Sequence, residues 1–87
     1  MNNSSTPLRE MIAHRLDAPL ADFARQHPHL AAAIHRVTLI ELAVRNVSDD
    51  PEYRRVMEQA AVDSATLDTT ARIGALIDRC LARLLGI

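Results

Sequence analysis

The residue in this chain best suited by position to do chemistry is Glu41, because its carboxylate stands inside an apolar helical stripe. On a helical wheel it lies between the directions of Ile34, Val37 and Val44. A carboxylate withdrawn from water needs a partner, so Glu41 is either a general base or one half of an ion pair. The partner would be Arg45, four positions on, or an arginine from another helix. Because spacing fixes no second carboxylate nearby, the sequence favours the ion pair.

The histidines, the cysteine and a short acidic run are the other candidates for chemistry. His27 and His29 flank a proline and could reach one metal ion, but no cysteine or Glu-x-x-His pattern completes a ligand set. Cys80 lies on the apolar arc of the last helix, which predicts a buried thiol rather than a nucleophile. The acidic residues at 49–52 lack the glycine of a calcium loop and suit a helix cap better. We therefore predict no catalytic residue, no metal and no cofactor.

Composition restricts the class of protein further. The chain has 87 residues, one cysteine and a net charge of −1, and all ten of its basic residues are arginine. One cysteine excludes a small domain stapled by its own disulfides. The balanced charge gives no general attraction to nucleic acid or to an acidic membrane. Neither a signal peptide nor a membrane-spanning apolar run is visible, so we expect a cytoplasmic protein without a membrane partner.

Helical periodicity organises most of the chain, and the scarcity of aromatic residues and glycines argues against a β protein. We predict a disordered leader at residues 1–6 and a single helical domain at residues 7–87. The predicted helices cover about residues 7–17, 19–26, 28–47, 50–63 and 67–85. The expected fold class is therefore an all-α bundle of four or five helices, in which the third and last helices form an antiparallel core pair.

The predicted third helix is apolar on two sides. Its main stripe has spacings of three and four and consists of Leu30, Ala33, Val37, Ile40, Val44 and Val47. On the opposite side lie Leu39, Leu42 and Ala43. A helix that is apolar on two sides is either central to its bundle or shared with a partner. We therefore predict that Leu39, Leu42 and Ala43 contact a protein partner or a second copy of the chain.

Three arginines of the last helix form a ridge away from its apolar side. Arg72, Arg79 and Arg83 fall within a narrow arc of the helical wheel. They could bind phosphate groups or an acidic partner helix. Alternatively they form a solvated face, with Asp68 placed to pair with Arg72 four residues later. We predict that these three arginines form a polar rim around the apolar partner contacts.

Two functions are compatible with these patterns. The first is a non-enzymatic protein–protein interaction module, that is, a small helical adaptor, regulator or assembly subunit that self-associates. The alternative comes from residues 22–37, which resemble the helix-turn-helix segment of repressors of the lactose-repressor type, although residues 26–29 place no glycine in the tight turn. That resemblance implies a small DNA-binding regulator. Its DNA contacts would come from Arg25, Arg36 and the ridge of Arg72, Arg79 and Arg83.

Overall fold

A computed structural model describes residues 6–63 and 66–86 of the chain, and these residues form helices without any strand. The helices are α1 (Thr6–Gln26), α2 (Pro28–Ala32), α3 (Arg36–Asp49), α4 (Pro51–Asp63) and α5 (Thr66–Leu85). The predicted all-α class is therefore confirmed. Most of the predicted leader, residues 1–5, lies outside the described residues, whereas Thr6 already belongs to α1.

The first helix is continuous over 21 residues, so the predicted break at Pro19 is wrong. A proline inside a helix removes one backbone hydrogen bond and costs about 3 kcal/mol relative to alanine. The helix nevertheless continues because one apolar side packs on both sides of the proline. Leu8, Ile12 and Leu16 are buried before it, and Leu20 packs against the core just after it. Here the packing of apolar side chains outweighs the tendency of proline to end a helix.

The predicted third helix is interrupted in its first half. α2 ends at Ala32 and α3 begins at Arg36, and a turn at residues 33–35 separates them. The amides of Ala33 and Ile34 bond to carbonyl groups three residues earlier, and His35 has an extended backbone with φ −98° and ψ 114°. The turn allows α2 to fold against α1, with which it is in contact.

The core lies where α1, α3 and α5 meet, since each of these helices contacts the other two. The third and last helices do pack together, but α1 joins them, so the core has three helices rather than a pair. α4 covers it through Val56 and packs against α3 and α5. The buried side chains are Leu8, Ile12, Leu16, Leu39, Ile40, Ala43, Val47, Val56, Ile73, Leu76, Ile77, Cys80, Leu81 and Leu85.

A two-point ion pair joins α1 to α5 beside this core. Arg15 donates from Nε to Oδ1 of Asp78 at 2.9 Å and from Nη2 to Oδ2 at 2.7 Å. Gly74 makes room for the guanidinium, because a Cβ at that position would lie 3.0 Å from its central carbon. The hydrogen bond from Arg15 lowers the pKa of the Asp78 carboxyl below its ordinary value. The pair therefore stabilises the fold most when Asp78 is ionised.

Replacing Asp78 by asparagine should lower the free energy of unfolding by roughly 0.5–1 kcal/mol at neutral pH, because the pair is half exposed. The folded-state pKa of Asp78 lies below 3.8, so its contribution is complete above that pH and is lost as the pH falls further. Urea unfolding at pH 7 and at about pH 2.5 checks this expectation. Asp22→Asn, which removes a pair within α1 alone, is the control. A difference that persists unchanged in acid would contradict the assignment.

Replacing Pro19 by alanine should raise the free energy of unfolding by about 1–3 kcal/mol, because it restores an interior hydrogen bond of α1. Pro7→Ala is the matched control, since proline in the first turn of a helix costs little. Thermal and urea unfolding of the three proteins measures the difference. If Pro19→Ala is less stable than the parent chain, a bend at residue 19 is required for α1 to pack against α2.

Candidate interaction surface

The structure divides the predicted apolar contact residues between core and surface. Leu39 and Ala43 are 8% and 0% exposed, whereas Leu42 is 44% exposed. Leu39 and Ala43 belong to the same buried side of α3 as Ile40 and Val47. The expectation that Leu39 and Ala43 form a free docking surface therefore needs correction, because this side of α3 faces the chain's own core. Leu42 lies at the edge of that side and remains accessible.

The main apolar stripe of the predicted third helix is also partly buried and partly exposed. Ile40 and Val47 are buried, but Val37 is 74% exposed and Leu30 is 59% exposed. The turn at residues 33–35 takes Leu30 out of line with α3. Val37 lies in the first turn of α3, just beyond the edge of its buried side. The two ends of the predicted stripe therefore do not share one face.

An open groove lies at the corner between α2 and α3. It has a volume of about 250 Å³, and most of the surface that lines it is apolar. The residues that line it are Ala33, Ile34, His35, Thr38, Leu39 and Leu42. We call this feature the α2–α3 groove. Sequence reasoning placed only Leu39 and Leu42 in a contact surface, because it treated residues 28–47 as one straight helix.

Glu41 is one partner in an exposed ion pair. Its two carboxylate oxygens accept hydrogen bonds from Nη2 of Arg9 at 2.6 and 2.5 Å, and both side chains are 46% exposed. Its partner is an arginine from another helix rather than Arg45, and the pair joins α1 to α3. The carboxylate is therefore satisfied at the edge of the bundle and does not lie in an apolar pocket.

Two of the arginines that the DNA-binding alternative would use, Arg25 and Arg36, have partners within the chain. Arg36 donates to the carbonyl oxygen of Ala13 at 3.0 Å and to Oδ1 of Asp17 at 3.1 Å. Arg25 pairs with an aspartate one turn earlier in α1. α2 has five residues and ends before Arg36, so residues 28–37 do not form one continuous second helix.

Two of the three arginines of the predicted ridge hold α5 to α4, and the third lines a cleft. Arg72 lies 3.8 Å from Asp68, as the spacing predicts, and also donates to a glutamine of α4. Arg79 donates to Glu52 of α4 at 3.4 Å. Arg83 lines a polar cleft of about 350 Å³ together with residues at the end of α3. Two of the three therefore connect α4 with α5, and Arg83 lies nearest to α3.

The thiol of Cys80 is buried, as the sequence predicts. Burial raises the pKa of this thiol above its ordinary value, so it is protonated near neutral pH. Tyr53 also has a pKa raised by burial. Both shifts come from packing, which favours a structural role for the two side chains.

In residues 6–63 and 66–86, no group of three histidine, cysteine, aspartate or glutamate side chains is placed to hold a metal ion. His27 instead packs on Phe23, with 5.0 Å between the ring centroids. None of the helices in the described part of the chain combines the length and apolarity that crossing a membrane requires.

No known family model, curated protein or solved structure matches this chain. Functional inference therefore depends on the surfaces described above.

Replacing Leu39 by aspartate should destabilise the fold by roughly 3–5 kcal/mol, because it places a carboxylate in the core. Replacing Leu42 by aspartate should change the free energy of unfolding by less than about 1 kcal/mol, because this side chain is half exposed. Urea unfolding followed by circular dichroism compares the two variants. Equal losses of stability would contradict the division of α3 into a buried and an exposed side.

Proposed function

We propose that this chain is a non-enzymatic protein–protein interaction module that binds its partner through the α2–α3 groove. The observation that carries the proposal is an apolar groove with an exposed leucine at its rim, held on an anchored helix. Leu42 is 44% exposed, while Ile40, Ala43 and Val47 fix α3 in the core. A contact residue on a fixed helix loses little conformational entropy on binding, which favours recognition.

The segment around the groove is the least buried part of the described chain. None of the residues 17–38 is fully buried, although Leu20, Phe23 and Ile34 pack partly against the core. Leu30 of α2 and Val37 of α3 are also exposed, although neither lines the groove. Apolar area that is concentrated in one region is typical of contact surfaces. A partner seated at the corner would supply the burial that the chain's own core does not.

The charges of a cleft between α4 and α5 support a structural role rather than catalysis. This cleft, of about 410 Å³, lies between α4 and α5 and includes Asp50, Glu52 and Arg79. Asp50 accepts a hydrogen bond from the backbone amide of Glu52 at 2.8 Å, which caps the start of α4. Glu52 in turn accepts from Arg79. Each of these groups already stabilises a helix end or a helix pair.

A photoreactive amino acid at Thr38, inside the groove, should form a covalent adduct of discrete mass when the chain is expressed in its native host. The same amino acid at Val62, which is 82% exposed on α4, is the matched control and should form none. Adding Leu42→Asp should remove the adduct at Thr38, because it puts a charge on the rim of an apolar contact. Denaturing electrophoresis and mass spectrometry measure the products. Absence of an adduct at Thr38, or identical adducts at both positions, would refute the proposal.

A further inference from the structure

We propose that α2 and the turn after it form a strap, which opens and closes as one unit while the core of α1, α3 and α5 stays folded. The strap comprises residues 28–35. Three of the six residues that line the α2–α3 groove belong to it, namely Ala33, Ile34 and His35. Opening therefore removes half of the lining of the groove. The inference concerns the free chain and does not depend on the proposed partner.

The strap contributes little to the core. None of its residues is buried, and Leu30 is 59% exposed. Ile34 packs against the core but is only partly buried. Of the described helices, only α1 contacts α2. Because resistance to local opening comes mainly from buried apolar contacts, the strap can open at a much lower cost than the three core helices.

The backbone hydrogen bonds of the strap lie within one short stretch of chain. The amide of Ala31 donates to the carbonyl oxygen of His27 at 2.9 Å. The amides of Ala33 and Ile34 donate to carbonyl oxygens three residues earlier, at 3.0 and 3.1 Å. His27, at the N-cap of α2, makes no side-chain capping bond, and α2 has five residues, whereas an isolated helix needs roughly 12–15. These bonds depend on one another, so opening breaks them together.

Contacts with α1 fix the chain on both sides of the strap. Before it, the amide of His27 donates to the carbonyl oxygen of Phe23 at 2.8 Å, and the centroids of the two rings lie 5.0 Å apart. After it, Arg36 donates to the carbonyl oxygen of Ala13 at 3.0 Å and to Oδ1 of Asp17 at 3.1 Å. Opening is therefore confined to the residues between these contacts and leaves α1 and α3 in place.

Native-state hydrogen exchange of the purified chain tests the strap. The amides of Ala31, Ala33 and Ile34 should share one protection factor, between about 5 and 500, because they open together. The amide of Ile77 in the core should be at least about tenfold more protected. Low concentrations of urea should lower the protection of Ile77 steeply and that of the strap hardly at all, because opening exposes little surface. The amide of Leu42 controls for side-chain exposure and should follow the core, since it belongs to α3.

A substitution in the core separates the strap from the rest of the fold. Ile77→Val shortens a fully buried side chain of α5, so it should lower the protection of the core amides about twofold to tenfold. It should leave the protection of the strap amides unchanged, because the strap opens without unfolding α5. Ala31→Gly is the matched change within the strap. It should lower the protection of the strap at least about fourfold, because glycine disfavours a helix.

Every other outcome overturns the inference. Strap amides that are as protected as the core, or that lose protection with Ile77→Val, would show that the strap and the core unfold as one unit. Strap amides without any protection would show that the closed form is not stable. Protection that declines from residue to residue would indicate fraying rather than a unit. Capture of a partner by the photoreactive Thr38 variant tests the proposed function independently, because Thr38 lies outside the strap.

Discussion

The packing of one side of α3 against α1 and α5 is the constraint on which the rest of the structure depends. α3 is short, and it buries Leu39, Ile40, Ala43 and Val47 on that side. Ala43 is completely covered, and its small side chain allows the neighbouring helices to approach closely. Once this side is fixed, the direction of every other residue of α3 follows from helical geometry. The accessible position of Leu42 is therefore a consequence of core packing.

Ion pairs of arginine with carboxylates then set how α1 lies across the other helices. Arg9 reaches Glu41 of α3, and Arg15 reaches Asp78 of α5. Each pair is partly exposed and contributes little free energy alone. The geometric effect of the Arg15–Asp78 pair is larger, because a guanidinium that donates from two nitrogens accepts only a narrow range of orientations. Gly74 shows how closely α5 accommodates one of these contacts, since its missing side chain leaves space for Arg15.

Sequence reasoning predicted the helical class and the inner side of α5, where Ile73, Ile77, Cys80 and Leu81 are buried. The apolar residues of α5 form one broad arc, so only one face of this helix could be the buried one. α3 has two apolar sides, and periodicity alone could not show which of them is buried. The charge of Glu41 within the main stripe was the signal that this side reaches the edge of the bundle. No residue type in the sequence marks the turn at residues 33–35, because neither glycine nor proline occurs there. The turn forms because α2 packs against α1.

The open corner between α2 and α3 reflects how little the second helix adds to the core. A chain of 87 residues has little apolar material left once three helices have formed a core. α2 contributes no buried residue, so it leaves the corner beside α3 open. Leu42, at the rim of the groove in this corner, therefore stays accessible while Leu39 and Ala43 of the same helix are buried.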